Sequence, residues 1–397
     1  NILNIGTLIV FIQSYSWLGR AENRDRIHEY FMLLMTTLIG MNFMISAGHF
    51  LMFYIGIELA TIPLAALAAY ERFKNRSAEA GIKLILSSSL SSGILLFGLS
   101  MIYGTTGSLY FSEVAAEVRD MPLVILGFIF FFSGMGFKMS LVPFHLWTAD
   151  VYEGAPVNVT AYLSVVSKGA AAFIFIIVLF TVFPVIIATW EKTIWIIAVL
   201  TITIGNLFAL RQKNMKRFLA FSSIAQAGFF LLGFVGGNQL GMTTVIYYAL
   251  VYIFSNLAAF GIVGIIADKT GRESMDDYDG LYRTNPGLSI AMMLAMFSLA
   301  GIPPVAGFFG KFFLFVAAAE KGFYVLVTIA VLNTIIALYY YLLVVKAMFI
   351  NRNETPIEPF KSDSMSKLGL AICLAGIIVT GFASGIFEMI RNLSYGI

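Results

Sequence analysis

Uncharged stretches longer than eighteen residues recur from one end of this chain to the other. Each is long enough to cross the hydrocarbon core of a bilayer as a helix. Backbone polar groups surrounded by lipid must be satisfied within the segment itself, which leaves the helix as the available form for isolated spans. The 397 residues are 59% hydrophobic and only 12% charged, about half the charged fraction of roughly 25% usual in soluble domains. The expected fold class is therefore an all-α, polytopic membrane protein. Twelve spans are expected, near 2–19, 30–48, 50–70, 83–103, 121–142, 157–189, 193–210, 217–236, 242–267, 287–319, 322–346 and 367–390. The sixth and tenth are too long for one straight crossing, so tilt or a break is predicted in each. The polar pieces 268–286 and 351–366 are too short to enclose a core of their own.

Basic residues test this count. Lys138, Lys168 and Lys311 fall inside spans, and if loops alternate sides, eighteen of the other twenty-two Lys and Arg share one side. That asymmetry marks the cytoplasmic side and places both termini outside. The first residue is Asn1 and the opening segment lacks the features of a cleaved leader, so a missing natural start is expected. Cys373 is the single cysteine, and His28, His49 and His145 are scattered. A cysteine-ligated iron–sulfur cluster, a disulfide framework and a CxxC redox pair are excluded, and no dinucleotide, Walker A or metalloprotease motif is present.

Four ionisable residues lie deep in apolar runs: Glu58, Lys138, Lys168 and Lys311. An ionised group at mid-membrane costs roughly 3 kcal/mol on insertion scales, so such groups pair, meet internal water, or work. Burial disfavours an ammonium and a neighbouring carboxylate favours it, so a buried lysine with a movable acid can hold or release a proton. Glu58 and Lys138 suit such a pair across neighbouring helices. Lys168 and Lys311 have no intramembrane acid and would need water or another polar partner. Pro143 follows Lys138 by five residues, and Pro303–Pro304 precede Lys311 by eight and seven. Proline breaks a helix and frees carbonyls, creating a polar niche beside each lysine. Ser167, Gln226, Tyr247, Tyr248, Tyr252, Ser255 and Asn256 could extend a wet path, and His145 is either a relay member or an interfacial cap. Packing is the simpler role for the three tyrosines.

A faint repeat aligns "LILSSSLSSGILLFG" (84–98) with "LAFSSIAQAGFFLLG" (219–233) at an offset of 135 residues. Small residues recur wherever membrane helices pack closely. The offset nevertheless spans five helices, so the second copy would be inverted, as in many transport folds.

The stretches "FYIGIELATIPLAALAAY", "SAEAGIKL", "GFKMSLVPFHLWTADVYEGAP", "YLSVVSKGAAAF", "KRFLAFSSIAQAGF" and "LAGIPPVAGFFGKFFLF" together resemble the antiporter-like membrane subunits of respiratory complex I. The resemblance runs in order over nearly the whole chain, and lysine at 311 suits the smaller of these subunits. It implies fourteen helices in a full-length member, with two inverted five-helix repeats and broken helices. The helices here would then be the third to the fourteenth, with 1–49 as N-terminal helices and 347–397 as the C-terminal one. The first half-channel would occupy 50–189 and the second 193–346. Glu58 would pair with Lys138 of the first half-channel, Lys168 would connect the halves, and Lys311 would be the lysine of the second. Many members carry histidine where this chain has Gln226, which can order water but not accept a proton near neutral pH. The implied function is proton translocation along Glu58, Lys138, Lys168 and Lys311 within an NADH–quinone oxidoreductase of the bacterial inner membrane. FMN, iron–sulfur clusters, quinone and NADH would be bound by partner subunits. A subunit of a Mrp-type cation/proton antiporter or a membrane-bound hydrogenase is the alternative.

Overall fold

The computed structural model describes residues 1–237, 239–383 and 385–393. Eighteen α-helices account for most of them: α1 (Ile2–Leu18), α2 (Ile27–Ile45), α3 (Phe50–Ala68), α4 (Asn75–Thr106), α5 (Phe111–Glu117), α6 (Pro122–Met139), α7 (Leu146–Gly154), α8 (Val157–Tyr162), α9 (Lys168–Thr181), α10 (Ile187–Ala209), α11 (Met215–Val235), α12 (Gln239–Thr270), α13 (Leu281–Thr284), α14 (Pro286–Ala300), α15 (Ala306–Glu320), α16 (Tyr324–Phe349), α17 (Ser364–Phe382) and α18 (Gly385–Arg391). Among the described residues the only β pairings are two isolated bridges, His49–Tyr110 and Asn214–Ser274.

Among the described residues, nine helical stretches are long and apolar enough to cross a membrane, with α8 to α9 acting as one of them; α1 and α14 are apolar but shorter. The two long spans of the sequence reading are interrupted rather than merely tilted. The tenth divides into α14 and α15 around Gly301–Val305. The sixth stops at Thr181 instead of 189 and contains a π-helical segment, Leu163–Ser167, between α8 and α9. The fifth ends at Met139 and restarts as α7, and the twelfth divides into α17 and α18.

Helix α11 is the axis of the molecule. Its membrane-crossing stretch is wholly buried, whereas only a third of the corresponding stretch of α4, α10, α16 or α17 is enclosed. Leu86, Leu90, Leu332 and Ile335 face outward on those peripheral helices. Lipid is as apolar as the interior, so burial of leucine supplies no preference between the two, and small or polar residues choose the inward face instead. Where α2 crosses α3, a Cβ on Gly40 would lie 2.5 Å from the Ala60 nitrogen, so only glycine permits that approach.

The short helix α7 is anchored by charge at its end. Asp150 accepts from Lys83 at 2.7 Å and from Arg217 at 2.8 Å, and Glu153 accepts from the same guanidinium at 3.0 Å. These ion pairs join α4, α7 and α11 and fix how the break before α7 faces the centre.

Asp363 caps α17 by accepting the Ser366 N–H at 2.9 Å. Burial pushes its carboxyl upward, but hydrogen bonds from Ser366 and Ser16 outweigh that and hold it below its usual range. A depressed carboxylate stabilises the fold above its unfolded pKa of about 3.9 and loses that contribution as pH falls through the folded value. Asp363→Ala should therefore lower stability near neutral pH by about 1 kcal/mol, with the difference from the parent vanishing in acid. Thermal unfolding in detergent across pH reads both effects.

Candidate functional site

Three buried or half-buried lysines each sit where a helix departs from regular geometry. Lys138 lies in the last turn of α6. Ser140 adopts the left-handed conformation, φ 62°, and Pro143 has no N–H to continue the ladder. Side chains satisfy what the break exposes: Trp147 Nε1 donates to the Phe137 carbonyl at 3.2 Å, and Thr201 Oγ1 accepts the Val142 N–H at 3.0 Å. The Lys138 ammonium donates to Thr61 Oγ1 on α3 at 2.5 Å.

Lys138 makes no ion pair with Glu58 in this arrangement. Glu58 is close enough to attract Lys138 electrostatically, yet its Oε1 is buried without a hydrogen-bond partner. The reason is geometric: Thr61 is one helical turn beyond Glu58 on the same face of α3, and the lysine reaches the hydroxyl first. His145 stands at the restart of the helix, nine-tenths buried, with Nδ1 unpartnered and no capping bond.

Lys168 directly follows the π segment. A π turn is a wide, uncommon distortion that recurs at functional positions. Asn256 of α12 holds it, donating to Ser164 Oγ at 2.7 Å and to the Tyr252 hydroxyl at 3.1 Å. The lysine is 1% exposed. Its ammonium donates to Ser223 of α11 twice, to Oγ at 2.6 Å and to the carbonyl at 2.9 Å. Ser167, the last residue of the π segment, is buried beside it.

Lys311 is on α15, after the break that follows α14. Gly301 is left-handed with φ 86°, a conformation that costs glycine little. The carbonyls at the end of α14 consequently lack helical partners, and Lys311 takes them: it donates to Leu299 O at 2.9 Å and Ala300 O at 3.2 Å. Its ammonium also lies 4.8 Å from the centre of the Phe229 ring, within cation–π range. Gln226 of α11 donates to the same Leu299 carbonyl at 3.2 Å and to the Tyr341 hydroxyl at 3.1 Å, while its Oε1 accepts from Tyr248. Ser222 and Tyr341 close the cluster at 2.5 Å.

Helix α11 thus brings two of the lysines together. Ser223 holds Lys168, and Gln226, three residues on, shares a carbonyl with Lys311. Lys138 and Glu58 form a separate group at the α3–α6 contact. Tyr247 belongs to neither, because its hydroxyl donates to the Thr380 carbonyl on α17 at 2.7 Å and its ring packs on Phe313 and Phe387. The sequence reading missed Thr61, Ser222, Ser223, Tyr341 and the two carbonyls. Ser222 and Ser223 stood in its repeat alignment, and Thr61 was one turn from a residue already singled out. No group of three or more His, Cys, Asp or Glu among the described residues could hold a metal ion.

Residues 47–337 match the family described as NADH:quinone oxidoreductase/Mrp antiporter, transmembrane. The chain belongs to that family. Among members of the oxidoreductase/antiporter family, NADH-quinone oxidoreductase subunit N of Phocaeicola vulgatus is 54% identical over 393 residues, covering 99% of this chain and 83% of the relative. A chain of respiratory complex I from Thermus thermophilus, solved with bound aureothin, superposes with a TM-score of 0.83 at 30% identity, covering 98% of this chain and 85% of that one. A chain of the Mrp complex from a Dietzia species superposes at 0.88 with 22% identity over 98% of this chain and 81% of that one, a likeness of fold alone.

Proposed function

We propose that this chain is the N-type, proton-translocating membrane subunit of an NADH–quinone oxidoreductase, moving protons along Glu58, Lys138, Lys168 and Lys311. The observation that carries this reading is the seating of the lysines. Each is held within the bilayer by hydroxyl, carbonyl or ring groups and by no direct carboxylate contact. A neutral seat orients an ammonium without locking it into an ion pair, so a small change in surroundings can move its proton. Shared contacts along α11 make Lys168 and Lys311 neighbours in one path, and Glu58 with Lys138 supplies the entry or exit group of the other half.

Residues 50–189 and 193–346 serve as two half-channels, each with a broken helix beside its lysine. His145, with a free buried nitrogen at the first break, and Gln226, with both amide ends engaged at the second, order water or orient neighbours rather than carry the charge. Ser167 lines the junction at the π segment. NADH, FMN, iron–sulfur clusters and quinone belong to partner subunits, whose redox cycle drives the transfer. The complex sits in a bacterial inner membrane with the basic loops cytoplasmic and both termini periplasmic, surrounded by lipid and by other membrane subunits. Identity of 54% to relatives named as subunit N, against 22% to the Mrp chain, favours the oxidoreductase over the antiporter.

Lys138→Ala in the assembled, reconstituted complex should lower the number of protons moved per electron while NADH oxidation in detergent continues. Transport at the parental ratio would sink the assignment.

A further inference from the structure

Helix α3 presents two different seats to one lysine. Glu58 and Thr61 are three residues apart, which places them one above the other on the same face. Phe131 of α6 packs against Phe50 and Phe53 of α3, so side chains of the helix that carries Lys138 reach this part of α3. Lys138 occupies the Thr61 seat at 2.5 Å. The Glu58 seat keeps one carboxylate oxygen, Oε1, buried with no hydrogen bond from the protein, and a buried polar atom of this kind calls for a partner.

Thr61 is itself committed. Its hydroxyl donates to the Ile57 carbonyl at 2.6 Å, so toward Lys138 it can only accept. It therefore holds the lysine by a lone pair and does not take the proton. The distance between stacked side chains at this spacing is about 5–6 Å between Cβ atoms, within the swing of a four-carbon lysine stem.

We infer that Thr61 is a positioning residue: it is the neutral seat on which Lys138 rests when its ion pair with Glu58 is open, making α3 a two-position switch. On Glu58 the ammonium is held by a charge-assisted contact, which is roughly twice as strong as a neutral one. On Thr61 it is oriented but held less firmly, and the proton can pass on. This inference rests on Lys138 being part of the proton path.

The test uses the whole complex reconstituted in vesicles, with Thr61→Val, Thr61→Ala, Thr61→Ser and Lys138→Ala. The readouts are protons moved per electron and the pH profile of transport. Without the hydroxyl, Lys138 rests on Glu58 and keeps its proton longer. Thr61→Val and Thr61→Ala should therefore move the alkaline limb of transport to higher pH by about one unit, a tenfold change in proton affinity, and lower the ratio near neutrality. Thr61→Ser should restore both. Parental ratio and profile in whichever of Val or Ala assembles overturns the switch, as does a serine variant as impaired as they are, which would mark a packing role. If Lys138→Ala alone leaves transport unchanged, the proton path itself is misassigned; if it fails while the Thr61 variants behave as the parent, only the seat is.

Discussion

Lys311→Met should leave the subunit folded and assembled while removing its entire contribution to proton transport. Lys311 is 3% exposed, and its ammonium is held by the Leu299 and Ala300 carbonyls and the face of Phe229. A charge at that depth costs roughly 3 kcal/mol or more before such contacts offset it. Methionine has a similar length and fills the same space without that cost. The Leu299 carbonyl still receives Gln226, so a single carbonyl, that of Ala300, loses the side chain that engaged it. Exchanging a buried charge for an apolar group of like volume is often neutral for stability. For transport, the only other titratable side chain on α15 is Glu320 at the far end of the helix, so no neighbouring group replaces the lysine. Lys311→Arg makes the comparison sharper, because a guanidinium stays charged at all accessible pH and keeps the electrostatics while forbidding proton release. Both variants should assemble at near parental levels, and both should show the same reduced ratio of protons to electrons in vesicles. Parental transport by the arginine variant would mean that Lys311 supplies only fixed charge.

How much of this was legible in the sequence differs between the fold and the site. Membrane helices announce themselves, because the requirement for eighteen or more uncharged residues is local and severe. The lysines were equally visible, since a charge inside such a run has no bland background to hide in. Proline signals located both main breaks, before Lys311 and after Lys138. The π segment before Lys168 carried no such mark: "LSVVS" is an ordinary apolar stretch, and the side chain that engages it, Asn256 on Ser164, comes from α12, more than eighty residues away in sequence.

Partners were harder than positions. An expectation that a lysine seeks a carboxylate follows from charge alone, and it chose Glu58 for Lys138. The choice between Glu58 and Thr61 depends on the height of α6 against α3, which is set by the packing of Phe131 on Phe50 and Phe53 and is not encoded in any local pattern. Backbone carbonyls were invisible as ligands for a related reason. Their availability to Lys311 depends on the chain turning at Gly301 so that the end of α14 faces back toward α15. Tyr247 shows the converse, since a polar residue in a polar neighbourhood of the sequence turned to α17 because α12 is wrapped by different helices on its different faces.

The break around Lys311 makes a second prediction with a large effect, this time on assembly. Gly307 in the first turn of α15 passes so close to the last turn of α14 that an added Cβ would collide with the Ser298 carbonyl carbon and oxygen. The contact is backbone against backbone, and the Gly307 N–H also donates to Ser298 Oγ at 3.2 Å. That hydroxyl in turn meets Ser255 of α12 at 2.6 Å. A flexible side chain could turn aside, but here the two helix ends must separate. Overpacking a well-ordered interior usually costs about 1–3 kcal/mol, and a collision with main chain belongs at or above the top of that range. Lys311 lies four residues after Gly307, on the same face of α15, so the displacement also carries the ammonium away from Leu299 and Ala300. Gly307→Ala should therefore sharply reduce the amount of intact complex recovered from membranes and lower the temperature at which the remainder inactivates. Gly104→Ala is the control, because a Cβ there meets nothing within 4 Å and alanine improves an exposed helix by up to about 1 kcal/mol. Equal recovery of the two variants would mean that α14 and α15 can part at this point without consequence, and that the carbonyl seat of Lys311 does not depend on their contact.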